Sequence, residues 1–142
     1  MSLAFVDTNV LIAAASANDS DHERGRAIVE GIDAGGLPVT RISNYVIAEV
    51  LNYIHSRGHN GGAIEFYDRL SRAGRFEIVH ATKQDYLDAI DVFDELDRLS
   101  FVDATIVSYM RREGLTFLYS FDADFDGVAG ITRVNVAEDP FA

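Results

Sequence analysis

Apolar residues along the chain alternate between short continuous runs and stretches with a helical period. LAFVD at 3–7 reads as a buried strand, with Thr8 or Asn9 opening a helix behind it. A helix is expected from about Asp21 to Ala34, stopped by Gly35-Gly36, and a short strand from Pro38 to Arg41. Ser43 caps a strongly apolar helix that ends near Arg57-Gly58. Asn60 opens another, carrying Ile64, Tyr67, Leu70 and Ser71 before Gly74, and FEIVH at 76–80 is a strand. Thr82, with Asp85 at the capping-box position, starts a helix with a predicted core face of Tyr86, Ile90, Phe93 and Leu96. Asp88, Asp91, Asp94 and Asp97 then form its solvated side. Ser100 caps the next helix, which runs to Glu113-Gly114. TFLYSFD at 116–122 is a strand, and a last short strand lies around Thr132 to Val136.

Strands thus alternate with helices from end to end, with no internal repeat or linker. The pattern predicts one α/β domain over 1–142: a three-layer sandwich around a mainly parallel sheet of about five strands. In such sheets, sites form beyond the carboxyl ends of the strands. Asp7 ends the first predicted strand and Asp122 the fourth, so those two strand ends are candidate neighbours.

Against this apolar background three charges stand alone. Asp7 has no charged residue before Asp19, Glu49 none between Arg41 and Arg57, and Asp103 none between Arg98 and Arg111. Segments this apolar are expected to be buried, and a buried carboxylate is costly without a partner. Either distant arginines meet these acids, or the acids meet one another around a cation. Each acid also has a plainer reading. Asp7 could be a helix N-cap, although Thr8 and Asn9 would serve as well. Asp103 closes a capping box with Ser100. Glu49 could join a buried ion pair. Asp124 and Asp126, in SFDADFDG, could belong to a turn, and the match to a calcium loop is poor because no Glu closes it.

Composition narrows the chemistry. There is no cysteine, hence no disulfide framework and no thiolate metal site. His55 and His59 have i, i+4 spacing, but Gly58 between them breaks the helix that a zinc pair needs. No GxSxG elbow or phosphate-binding glycine loop is present. No apolar run approaches the roughly 18 residues of a membrane span, and the N-terminus lacks a basic leader, so a cytoplasmic location is expected. Acids number 23 against 12 bases, a net charge of −11, and Lys83 is the single lysine. This balance suggests adaptation to high intracellular salt, where the screening length falls to about 3 Å and local contacts outweigh global charge.

With these residues assembled, the chain resembles the PIN-domain ribonucleases, and within them the VapC-type toxins of toxin–antitoxin pairs. The resemblance rests on VDTNVL at 6–11, Glu49 in AEVLN, LSFVDA at 99–104 and YSFDADFDG at 119–127, in that order across nearly the whole chain. It implies four core acids at Asp7, Glu49, Asp103 and Asp122, with Asp126 as an additional metal-binding acid. Thr8, Asn9 and Ser120 match positions that support the site. It further implies one or two Mg²⁺ or Mn²⁺ ions, an RNA substrate cut to a 5′-phosphate and a 3′-hydroxyl, a homodimer, and a small antitoxin that lays a segment over the site. The early helices, near Ile28 to Ile32 and Val46 to Ile54, could supply a groove for that segment or be ordinary core. Arg24, Arg26, Arg41 and Arg57 are candidate RNA contacts. The competing readings are another Mg²⁺-dependent phosphohydrolase, an inactive PIN-like module that binds RNA or protein, and a structural ion-binding domain.

Overall fold

Five parallel strands in the order β3-β2-β1-β4-β5 form the centre of the molecule. This computed structural model describes residues 2–58 and 60–142. In chain order the elements are β1 (Leu3–Val6), α1 (Thr8–Ala15), α2 (His22–Ala34), β2 (Val39–Ser43), α3 (Asn44–Ser56) and α4 (Asn60–Arg72). They continue with β3 (Phe76–Val79), α5 (Lys83–Glu95), α6 (Phe101–Glu113), β4 (Phe117–Tyr119) and β5 (Thr132–Val134). A single 3-10 turn, Ala123–Phe125, lies between the last two strands. The alternating α/β architecture is the one expected. The ends differ by a few residues: β2 is shifted to Val39–Ser43, β5 stops at Val134, and β4 stops at Tyr119, three residues before Asp122. His59 and its spacing to His55 lie outside the described residues.

β1 is the central strand, and its Ala4, Phe5 and Val6 are fully buried. It pairs with β2 through Leu3–Val39, Ala4–Thr40 and Phe5–Arg41, and with β4 through Phe5–Leu118 and Val6–Tyr119. The carboxyl ends of β1 and β4 therefore lie side by side. α2 stops at Gly35, whose φ of +90° suits glycine far better than any other residue. Gly25 is required by packing: a Cβ there would come within 2.9 Å of Val10 O, Ala13 Cβ and Ala14 N, so it lets α2 lie close on α1. Among the described residues no helix is long and apolar enough to cross a membrane.

The rotation of α5 departs from expectation. Its buried residues are Asp85, Ala89 and Val92, while Tyr86, Ile90 and Phe93 are between 43% and 46% exposed. A buried ion pair sets this rotation. Asp85 Oδ2 accepts from Arg112 Nη2 at 3.0 Å and Oδ1 from Arg112 Nε, which locks the Asp85 side of α5 onto α6. Tyr86 and Phe93 instead rest edge-on against Phe101, with ring centroids 5.8 and 5.7 Å away.

Candidate functional site

Asp7 follows β1 directly and is only 3% exposed. It is the N-cap of α1: Oδ1 accepts from the Thr8 N–H at 2.8 Å. Its other oxygen, Oδ2, accepts from Ser120 Oγ at 2.7 Å. Ser120 follows β4, so the pairing of β1 with β4 brings the two residues together. The Asp7 carboxyl is raised to about 7, chiefly by burial and also by the charges of Asp103 and Asp122, with the Ser120 and Thr8 hydrogen bonds opposing. Thr8 and Asn9, expected as supports, both make contacts here. Thr8 Oγ1 donates to Glu49 Oε1 at 2.7 Å, and Asn9 Oδ1 accepts from the Phe121 N–H at 3.2 Å.

Asp103 is half-buried at the start of α6. Its capping box is complete: the Ser100 N–H donates to Asp103 Oδ2, and the Asp103 N–H donates to Ser100 Oγ, both at 3.1 Å. Its pKa is raised, chiefly by burial, with the Ser100 bonds opposing and the charges of Asp122 and Glu49 adding to the rise. The Asp122 N–H donates to Ser120 Oγ at 3.0 Å, and Asp122 Oδ1 caps the 3-10 turn by accepting from the Asp124 N–H at 2.9 Å. Ser120 Oγ is thus shared between the backbone of Asp122 and the carboxylate of Asp7.

Asp7, Asp103 and Asp122 lie within electrostatic reach of one another, and Glu49 within reach of Asp103. Among the described residues none of the four forms an ion pair, so the arginine alternative is not the one the fold adopts. Nor does any buried side-chain polar atom lack a hydrogen-bond partner among the described residues. Hydroxyls and N–H groups solvate these acids without cancelling their charge.

One expectation, the burial of Glu49, needs correction, and the surroundings of Asp126 carry a feature that was not foreseen. Glu49 is exposed, because the period of α3 turns Val46, Ile47 and Val50 inward and leaves Ala48 and Glu49 on the outer side. Its carboxylate is held by the Thr8 hydroxyl. Asp126, expected as a further member of the cluster, is held by Arg133, whose Nε and Nη2 donate to its two carboxylate oxygens at 2.9 and 3.0 Å. Arg133 lowers its pKa, opposite to the shifts at Asp7 and Asp103. Arg133 and Arg98, which grips the Asp124 carbonyl at 2.7 Å, carried no sequence signal, since their partners lie seven or more residues away in loops.

No three acidic or imidazole side chains among the described residues meet closely enough to enclose an ion by direct contact alone. The donor set is all oxygen, with Arg133 near Asp122 as a neighbouring positive charge, and oxygen donors suit a hard divalent ion.

An α/β sheet with this acid set at the ends of its adjacent strands is the arrangement of a PIN domain. The PIN-domain family model matches residues 4–131, and the chain belongs to that family. It is 32% identical over 133 residues to the 23S rRNA-specific endonuclease VapC20 of Mycobacterium tuberculosis, covering 93% of this chain and 98% of that protein. The crystal structure of that VapC20, described as a Sarcin-Ricin loop cleaving toxin, superposes with a TM-score of 0.75 at 29% identity, over 89% of this chain and 95% of that one. The fold is also that of VapBC2 from Rickettsia felis bound to a promoter DNA fragment, with a TM-score of 0.70 at 15% identity over 93% of this chain and 97% of that one.

Proposed function

We propose that this chain is a Mg²⁺- or Mn²⁺-dependent endoribonuclease and the toxin of a VapBC-type toxin–antitoxin pair. The observation that carries the reading is the set of mutually repelling acids Asp7 and Asp122, beyond β1 and β4, and Asp103, at the start of α6, none of them in an ion pair. Such a set is relieved by a proton or by a cation. Asp7, Glu49, Asp103 and Asp122 would hold the ion. When bound, it supplies a water of lowered pKa and a counter-charge for the phosphodiester. Ser120 and the Thr8 N–H fix both oxygens of Asp7, Thr8 Oγ1 orients Glu49, and the Ser100 cap orients Asp103. Support of this kind lets acids from four different elements act on one point.

The substrate class is looped RNA, on the strength of the similarity to the Mycobacterium tuberculosis nuclease. Of the four candidate arginines, Arg24 is the one we assign to RNA. Its guanidinium lies 4.6 Å from the centre of the Phe121 ring, between Ser120 and Asp122 in the chain. All four are engaged, Arg24 with Asp21, Arg41 with Glu77 and Glu113, Arg26 with Glu30 and Arg57 with Tyr53, and it is the place beside Phe121 that singles out Arg24. The antitoxin segment is assigned to a cavity of about 890 Å³ lined by Arg26, Val29, Ile54, Phe66 and Leu70, among others. Ile28, Ile32, Val46 and Val50 are core. The exposed apolar side of α5, Tyr86, Leu87, Ile90 and Phe93, is assigned to a second copy of the chain.

Incubation with a looped RNA and with a small phosphate ester, in Mn²⁺, Mg²⁺ or EDTA, tests the activity. Cleavage of the RNA in either metal and not in EDTA is expected. Hydrolysis of the ester alone would favour a phosphohydrolase, and RNA binding without cleavage would favour an inactive module.

A further inference from the structure

Residues 120–126 link β4 to the segment before β5 with little regular structure, and Asp122 sits among them. Phe125 anchors them in the core, Ser120 and Phe121 bond to Asp7 and Asn9, and two arginines add ties at the exposed side. Arg133, on β5, grips the Asp126 carboxylate with two donors and also donates to the Ser120 carbonyl at 3.4 Å. Arg98 donates to the Asp124 carbonyl at 2.7 Å and to the Asp126 carbonyl at 3.3 Å. Arg98 precedes the Ser100 cap by two residues, and that cap holds Asp103. One arginine therefore ties the Asp122 segment to the sheet, and the other ties it to the Asp103 segment.

Asp122 and Asp103 repel each other. The arginine ties hold the Asp124–Asp126 side of the segment against this repulsion, where the bonds of Ser120 and Phe121 do not reach. A guanidinium fork suits this task because its planar donors fix direction as well as distance. An exposed ion pair contributes little to stability, so the geometry is the more telling consequence. We propose that Arg98 and Arg133 are positioning residues that aim Asp122 at the other acids, with Asp126 as the anchor of the clamp and not a metal ligand. This rests on the metal-nuclease reading above.

The sign of one substitution separates the alternatives. Arg133→Gln removes a positive charge beside an acidic cluster. If Arg133 acts only through its charge, or if Asp126 is a ligand that Arg133 masks, Mn²⁺ should bind more tightly. A clamp predicts the reverse. Calorimetric Mn²⁺ titration and amide hydrogen exchange on the full chain read this out. Arg133→Gln and Asp126→Asn should each weaken Mn²⁺ about tenfold, with the double variant no weaker than either single one. Exchange at 122–126 should quicken while β1 is unchanged. Arg98→Gln, at an exposed position, should show the same pattern at smaller amplitude and serves if Arg133→Gln does not fold. Tighter Mn²⁺ binding in Arg133→Gln, additive losses in the double variant, or unchanged exchange at 122–126 would overturn the clamp. If the unaltered protein binds no Mn²⁺, the metal reading fails, and the exchange result alone decides the clamp.

Discussion

α5 and α6 begin with the same device and put it to opposite uses. Each has a hydroxyl N-cap and an aspartate three residues later, Thr82 with Asp85 and Ser100 with Asp103, and in both the reciprocal bonds are made. Asp85 is fully buried, yet the Arg112 fork and the Thr82 bonds outweigh the burial and hold its pKa below the usual value. Asp103 is less buried, faces Asp122 and Glu49, and its pKa is raised. The local motif is thus silent about role. The partner supplied by the tertiary fold decides whether a capping aspartate meets a counter-charge, as Asp85 does, or like charges, as Asp103 does.

The largest expected difference between the two is in activity. Asp103→Asn should reduce RNA cleavage by about a thousandfold, roughly 4 kcal/mol of barrier. Asp85→Asn should leave cleavage per folded molecule within a few-fold. In stability the ranking reverses. Arg112→Gln strands the buried Asp85 and should cost about 3 kcal/mol, the lower end for a broken buried pair because Arg112 is partly exposed. Denaturant unfolding at neutral pH measures this.

Asp7 extends the contrast through pH. Its folded pKa of about 7 lies above the unfolded value near 3.8. Its contribution is therefore fully present below the unfolded value and is lost as pH rises towards 7. Metal-free protein should lose stability across that window, and Asp7→Asn should flatten the slope and stabilise by roughly 1–2 kcal/mol at pH 8. Asparagine is sterically suited: its Oδ1 can still accept from the Thr8 N–H, and its Nδ2 can donate to Ser120 Oγ. The smallest effect is Asp103→Asn on metal-free stability, within about 1 kcal/mol, since lost capping is offset by relieved repulsion. A loss of 3 kcal/mol there would make Asp103 another Asp85.

The sequence reading succeeded where short-range signals sufficed. Strand runs, caps at Ser43, Thr82 and Ser100, and glycine stops at Gly35 and Gly114 placed the elements within a few residues. The isolation of Asp7 correctly marked it as buried beyond β1. It failed where a distant residue decided the outcome. Nothing near Asp85 announces Arg112, so the apolar stripe of α5 was assigned to the core although the ion pair turns it outward. Nothing near Asp126 announces Arg133. Glu49 was expected to be buried because its neighbours are apolar, yet α3 is one-sided and Glu49 lies on the open side.

The most direct test of the acid cluster is calorimetric Mn²⁺ titration near pH 7, repeated in buffers of different ionisation heat, on the unaltered protein, Asp103→Asn and Asp85→Asn. The unaltered protein should bind Mn²⁺ and release protons, because Asp7 is close to half-protonated there. Asp85→Asn should do the same, and Asp103→Asn should lose most of the affinity. Equal binding by Asp103→Asn and the unaltered protein, without proton release, would contradict a metal site built on these acids.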